Sequence, residues 1–336
     1  MKPKVYVARP VPPEVKSYLQ AHADCTFWES KERLGRERFF AAIAEVEGLL
    51  TSGTPINEEL LARAPKLRIV SNISVGYDNF DLEAMSRRGV LGTHTPGVLD
   101  DTVADLILAM MLAAARRVTE LDRLVRRGGW VRGMDEELFG LDVHHATVGI
   151  IGMGRIGEAV AKRARLGFDM DVLYYNRSRK PDAEARYGAT YVPMEELLAR
   201  SDFVVVMTPL TPHTEKMIGR EQLARMKPTA FLINASRGAV VDEAALIEAL
   251  RNGTIRGAAL DVFEREPVDP ANPLLAMDNV VLLPHIGSAT ARTRNAMAML
   301  AARNLVAGLR GETPPNPVPE LRSLAESLGH DAKRKG

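Results

Sequence analysis

The sequence predicts an α/β protein built from two doubly wound parallel-sheet domains. Short apolar strands alternate with helical stretches almost throughout, which implies parallel pairing through right-handed crossovers. The alternation comes as two series, separated by a long apolar helical run. At 336 residues, the chain is long enough for two cores of ordinary size.

In the first series the expected strands are Val5–Ala8, Thr26–Trp28, Gly48–Thr51, Arg68–Asn72 and Val90–Thr93. Helices are expected at Pro13–His22, Arg36–Val46 and Asn57–Ala64. One helical run is expected from Asp101 to Arg127; its first half is apolar nearly all round and so should be buried on more than one side, within a subunit or between two. The second series has strands at Thr147–Ile151, Asp171–Tyr175, Phe203–Met207, Ala230–Asn234, Ala258–Asp261 and Val280–Leu283, enough for a complete dinucleotide-binding sheet. A last helix is expected at Thr290–Leu309. Pro314, Pro315, Pro317 and Pro319 then mark the expected end of compact structure, with a frayed tail beyond Leu321.

The 44 basic and 43 acidic residues leave a formal net charge of +1, which argues against binding nucleic acid or a membrane surface. Hydrophobic residues at 46% and charged residues at 26% fit a globular protein. The single cysteine, Cys25, reads as a small buried hydrophobe. The opening MKPKVYVARP has no apolar signal core and no uncharged run reaches membrane-spanning length, so the expected location is the cytoplasm.

Gly152, Gly154 and Gly157 form a G-x-G-x-x-G turn directly after an apolar strand and at the start of a helix. The first glycine permits the tight turn, the second lets backbone approach a pyrophosphate, and the third lets helix and strand pack closely. The helix N-terminus offers free N–H groups to phosphate. About twenty residues further on, where an NAD site usually carries Asp or Glu, stands Asn176, followed by Arg177, Ser178, Arg179 and Lys180. A neutral amide with cations and a hydroxyl suits a 2′-phosphate, so NADPH is expected over NADH, with NAD still usable; a solvated basic loop is the alternative.

Arg237, Glu266 and His285 each follow a strand of the second series. Ligands of open α/β sheets bind at the carboxyl ends of strands, so the three can converge although far apart in sequence. Reduction of a 2-keto acid needs a proton donor at the carbonyl oxygen, a carboxylate to orient it, and a guanidinium for the substrate carboxylate. His285, Glu266 and Arg237 fit those roles.

VGIIGMGRIG, INASRGAVVDEAAL, GAALDVFEREP and LLPHIGSAT resemble the signatures of the D-isomer-specific 2-hydroxyacid dehydrogenases, over about residues 1–318. SNISVGYDNFD, HTPGVLDDTVAD and GLDVHHATVGIIGMGRIG resemble most the bacterial glyoxylate/hydroxypyruvate reductases of that family, some also called 2-ketogluconate reductases. The resemblance implies an NADPH-preferring reductase, usually a homodimer, acting on a small 2-keto or 2-hydroxy acid. It implies that Arg237 binds substrate, His285 is the acid/base and Glu266 its partner, and that Asp261 accepts a bond from the nicotinamide amide. Thr102, Arg155, Ile156, Thr208, Pro209, Ala235 and Ser288 would line the cofactor. It also implies a discontinuous, flavodoxin-like substrate domain of residues 1–98 and 289–318, a Rossmann cofactor domain of 99–288, and a flexible tail of 319–336. The loop Ser74-Val75-Gly76 would offer amides to the substrate carboxylate, with Thr51-Ser52-Gly53 beside it and Ser52 in contact.

Some relatives carry W-x-x-W, the second indole reaching the partner's active site. Here Trp130 is followed by Gly133, which leaves room for a longer polyol chain. His144 and His145 are adjacent and lack spaced partners, so no metal is expected; His94 and His213 read as turn or surface residues. Two other functions share the fold. A dinucleotide-sensing corepressor would need partner-binding extensions that the short tail does not supply. Among other dehydrogenases of the family, D-lactate or D-glycerate enzymes remain open, while a formate dehydrogenase would carry Gln where Glu266 stands.

Overall fold

The computed structural model describes residues 1–327 apart from 31, 33, 132, 134 and 135. The chain divides into two compact units, Met1–Leu99 with Thr290–Gly336, and Asp100–Ala289.

The first unit is a five-stranded parallel sheet in the order β2-β1-β3-β4-β5, the flavodoxin-like order. Its strands are β1 (Lys4–Val7), β2 (Asp24–Phe27), β3 (Gly48–Thr51), β4 (Ile69–Asn72) and β5 (Leu91–Thr93). Val5, Tyr6, Val7, Leu49, Leu50, Ile69 and Val70 are buried, so the central strands read as unbroken apolar runs rather than as alternation. The connecting helices are α1 (Pro13–His22), α2 (Arg36–Ile43), α3 (Glu58–Arg63) and α4 (Leu82–Arg87). Pro13 opens α1 where a missing N–H costs nothing, while Asn57 and Asp81 cap α3 and α4. Helix α4 lies outside the expected elements because six residues give too little periodicity. Cys25 is only half-buried, since β2 is an edge strand.

The second unit begins with α5 (Asp100–Ala115) and α6 (Val118–Arg126). The single helix expected over Asp101–Arg127 is therefore two. Arg117 takes a left-handed φ of 54°, and the returning chain supplies the reason: the Leu141 amide takes the Ala115 carbonyl at 2.8 Å, a bond the next turn of helix would have used. Polarity changes at the same point, α5 burying eight side chains and α6 none.

Its sheet comprises β6 (Thr147–Ile151), β7 (Asp171–Tyr175), β8 (Thr190–Tyr191), β9 (Phe203–Val206), β10 (Phe231–Asn234), β11 (Gly257–Leu260) and β12 (Val280–Leu282). The helices between them are α7 (Arg155–Phe168), α8 (Pro181–Tyr187), α9 (Met194–Arg200), α10 (Arg220–Arg225) and α11 (Glu243–Arg251). Seven parallel strands run in the order β12-β11-β10-β9-β6-β7-β8, one more than expected. The extra strand, β8, is two residues on the sheet edge, too short for a periodic signal. Strand order reverses between β6 and β9, the kind of switch point at which such sheets bind ligands.

Helix α12 (Ala291–Leu309) returns to the first unit. It buries Met297, Ala301, Leu305 and Val306, and the Ser71 hydroxyl donates to the Ala301 carbonyl at 2.7 Å. The proline cluster does not end the compact structure. Pro317 bridges Thr93, and the Val318 amide donates to the Gly92 carbonyl at 3.0 Å, so prolines sit on a sheet edge where their missing N–H is harmless. Residues 322–327 are helical, with Leu321 and Ala325 buried four positions apart, and this segment is not frayed. Residues 328–336 of the expected tail lie outside the described residues. Among the described residues no helix is long and apolar enough to cross a membrane.

Candidate active site

The strands of the second unit end in step. Ile151, Val206, Asn234, Leu260 and Leu282 pair across the sheet, so the segments after them leave from one edge. These segments carry the glycine turn, Thr208, Ala235 to Arg237, Asp261 and His285.

The glycine turn is shaped as its chemistry requires. Gly152 has φ of 105°, and a Cβ there would meet the Met207 backbone at 2.7 Å. A Cβ at Gly157 would lie 2.4 Å from the Gly152 carbonyl, which lets α7 seat against β6. Gly154, the N-cap of α7, borders open space and provides no side-chain cap, so the first amides of the helix, including those of Arg155 and Ile156, face outward for an anion. The Thr208 hydroxyl lies buried without a partner among the described residues. A cradle of backbone N–H groups and an unsatisfied hydroxyl at a switch point fit a dinucleotide.

At the end of β7, the Asn176 side chain donates to the Ser178 carbonyl at 3.0 Å. The expected row of cations is divided. Arg179 does not project free for a phosphate; it forks onto Glu184 at 2.6 and 3.1 Å. The Arg177 side chain has no partner among the described residues.

Arg237, Glu266 and His285 are brought together. Asn234, buried at the end of β10, donates to the Arg237 carbonyl at 3.0 Å and accepts from the Ser236 amide and hydroxyl. A Cβ at Gly238 would fall 1.9 Å from the Phe263 carbonyl carbon, so only glycine lets the Arg237 turn lie against the loop that bears Glu266. The Arg237 guanidinium donates to the Ser236 carbonyl at 2.9 Å.

His285 Nδ1 lies 2.7 Å from Glu266 Oε2, and Glu266 Oε1 accepts the Phe263 amide at 3.1 Å. Burial pushes the Glu266 carboxyl up. The hydrogen bond and charge of His285, the Phe263 amide and the charge of Arg237 more than offset it, so the carboxyl is held below the ordinary range and stays ionised. The bond also fixes the tautomer: Nδ1 carries the donated hydrogen and Nε2 is left for chemistry.

His285 has a left-handed φ of 55°, a conformation that costs on the order of 1–3 kcal/mol for a residue with a Cβ. Asp261 holds it there. Its two carboxylate oxygens accept the Ile286 and Gly287 amides at 2.7 and 2.8 Å. Asp261 is buried, which raises its carboxyl above the ordinary value, while the two amides act in the opposite sense. Asp261, expected at the nicotinamide amide, gives each oxygen one bond to the turn that carries His285. Asn234 and the Phe263 amide stand outside the site residues expected from sequence. Their only trace in the sequence is a polar residue at the end of a buried strand.

The first unit carries its own candidate loop. Among the described residues the amides of Ser74, Val75 and Gly76 make no hydrogen bond within the chain. Around them, the Ser52 hydroxyl donates to the Ile73 carbonyl at 3.3 Å, and the Asn72 side chain donates to the Gly76 carbonyl at 2.9 Å. His94 is not a mere surface residue: its Nδ1 donates to the Val75 carbonyl at 2.9 Å, and its ring packs edge-on to Tyr77. His213 is exposed. Thr102, Ser288 and Ala235 are partly buried, and Pro209 is exposed. His144 and His145 stack edge to face, and among the described residues no cluster of three His, Cys, Asp or Glu could hold a metal ion.

The family model "D-isomer specific 2-hydroxyacid dehydrogenase, NAD binding domain" matches residues 108–287. The chain belongs to that family and is an NAD(P)-dependent oxidoreductase. It is 50% identical over 316 residues to the glyoxylate/hydroxypyruvate reductase B of Pectobacterium carotovorum, spanning 94% of this chain and 98% of the relative. A solved protein of Thermus thermophilus superimposes with a TM-score of 0.87 at 44% identity, covering 94% of this chain and 99% of that one. The NADPH-dependent glyoxylate/hydroxypyruvate reductase of Sinorhizobium meliloti, solved with NADP and malonate, superimposes with a TM-score of 0.83 at 36% identity, covering 95% and 98%.

Proposed function

We propose that this protein reduces small 2-keto acids, hydroxypyruvate and glyoxylate first and 2-ketogluconate among the longer ones, to D-2-hydroxy acids with a preference for NADPH. The observation that carries the reading is the His285 Nδ1–Glu266 Oε2 bond of 2.7 Å, with the Arg237 charge beside it. Held at the glycine turn, a reduced nicotinamide would supply a hydride for C2. His285 Nε2 delivers the proton that the carbonyl oxygen then needs, and Glu266 stabilises the imidazolium before that transfer. Arg237 binds the substrate carboxylate and polarises the carbonyl. In the first unit, the Val75 and Gly76 amides and Ser52 are assigned to a substrate carboxylate, with residues 1–98 and 289–318 as the substrate domain and 99–288 as the cofactor domain.

For the dinucleotide, Gly152, Gly154, Arg155, Ile156 and Gly157 are assigned to the pyrophosphate. Thr102, Thr208, Pro209, Ala235 and Ser288 are assigned to the remaining wall. Asn176, Arg177 and Ser178 are assigned to the 2′-phosphate. A carboxylate at position 176 would set a like charge on that phosphate, on the order of 4 kcal/mol at ~4 Å in an effective dielectric of about 20, before screening. The NADPH-dependence of the Sinorhizobium meliloti relative supports the reading. We further assign a homodimeric state, to which the exposed Val118 and Val125 of α6 and Trp130 contribute apolar surface, and a cytoplasmic location.

A Cβ at Gly133 would meet nothing within 4 Å. Because Gly133 stands where some relatives carry the second indole, hydroxypyruvate and 2-ketogluconate should give higher kcat/KM than glyoxylate, and Gly133→Trp should shift the ratio towards glyoxylate. A panel of the three acids with NADPH tests this; a strong preference for glyoxylate in the unaltered protein would count against it.

A further inference from the structure

Tyr174, the residue before the last of β7, is fully buried, yet its hydroxyl is used twice. It donates to Glu184 Oε1 at 2.6 Å and accepts the Lys180 backbone amide at 2.7 Å. Glu184, on α8, also receives the Arg179 fork. Two points of the loop after β7, the Lys180 backbone and the Arg179 side chain, are thus tied to one phenol–carboxylate pair. Between the strand and those ties lie Arg177 and Ser178, and Asn176 closes the turn through the Ser178 carbonyl.

This division of labour is unexpected for a row of cations. If charge alone mattered, Arg179 would serve a phosphate better unpaired. Paired with Glu184, it contributes little net potential and acts as a strut. Bonds from a guanidinium to phosphate are directional, so their strength depends on how firmly the loop backbone is held.

We propose that Tyr174 is a positioning residue for cofactor selection: through its bonds to Glu184 and the Lys180 amide it holds loop 176–180 in the form in which Arg177 and Ser178 meet the 2′-phosphate of NADPH. The proposal rests on the assignment of that phosphate to this loop. NADH has no 2′-phosphate and does not use the contact that Tyr174 holds in place.

Calorimetric titration with NADPH, NADH, adenosine 2′,5′-bisphosphate and 5′-AMP tests it. Loss of one hydrogen-bonded anchor should weaken binding about 3–10-fold. In Tyr174→Phe the Kd for NADPH and the bisphosphate should rise by that factor, while those for NADH and 5′-AMP stay as they are. In an Arg177→Ala background, Tyr174→Phe should add a smaller loss than in the parent, because only the Ser178 contact is left for it to position. Equal weakening of all four ligands, or none, would overturn the proposal, as would full additivity with Arg177→Ala. Glu184→Ala gives an independent sign. Removing a carboxylate from the neighbourhood of a phosphate should tighten NADPH on charge alone, whereas positioning predicts weaker binding; tighter binding would overturn it. If Arg177→Ala leaves the NADPH preference intact, the phosphate assignment fails. If Arg177→Ala abolishes the preference while Tyr174→Phe does not touch it, only the role of Tyr174 fails.

Discussion

At the scale of the residue, the proposed chemistry centres on His285 and the groups that hold it. Replacing it with Ala should remove the proposed proton donor, and general acid catalysis typically contributes ~10²–10⁴-fold. We expect kcat to fall by that order while the Kd for the cofactor holds; a variant with near-native turnover would reject the assignment. Glu266 adds a pH signature. Its folded-state carboxyl is held below the ordinary glutamate value near 4.5, so its contribution to stability is fully present above that value and is lost as pH falls through the lower folded value. Denaturant midpoints of wild type and Glu266→Gln should differ by a constant amount near neutrality and converge below about pH 4.5. A gap that stayed open well below pH 4.5 would contradict the sign. His285, Glu266 and Arg237 were legible in the sequence because each follows a strand of a recognisable sheet. Asp261 as the clamp on the His285 turn was not, since the bond joins residues far apart in sequence and only the left-handed φ at 285 reveals why it is needed.

At the scale of the element, the turn from β6 into α7 separates folding from binding. Gly152 and Gly157 are fixed by close approach, but Gly154 borders open space and has ordinary φ and ψ. Gly154→Ala should therefore leave the melting temperature nearly unchanged and weaken NADPH, because the added methyl stands where the pyrophosphate is expected. Unaltered cofactor affinity would show that the turn does not hold the dinucleotide. Elements with a strong period were read correctly from sequence: β6 and β7 and α1 match their expected bounds. Elements set by tertiary contact were not. The break between α5 and α6 depends on Leu141 returning to Ala115, and β8 depends on an edge of β7 being free.

At the scale of the whole molecule, two expectations follow from surface and termini. Leu321 and Ala325 are buried in the first unit, so truncation after Val318 should lower its stability by a few kcal/mol, roughly the cost of exposing one large and one small apolar side chain. A truncated chain with the parental melting curve would contradict the packing described. Sedimentation should show a dimer at micromolar concentration; a monomer would leave the exposed apolar residues of α6 and Trp130 without the role assigned to them.

The measurement that bears most directly on the central claim is steady-state reduction of hydroxypyruvate with NADPH and with NADH at low salt. The account predicts turnover with both and a kcat/KM for NADPH higher by roughly 10–100-fold, equivalent to about 1.4–2.7 kcal/mol. Equal use of the two cofactors would reduce the loop from Asn176 to Lys180 to a solvated basic turn, and no reduction with either would contradict the assignment of Arg237, Glu266 and His285 to 2-keto acid chemistry.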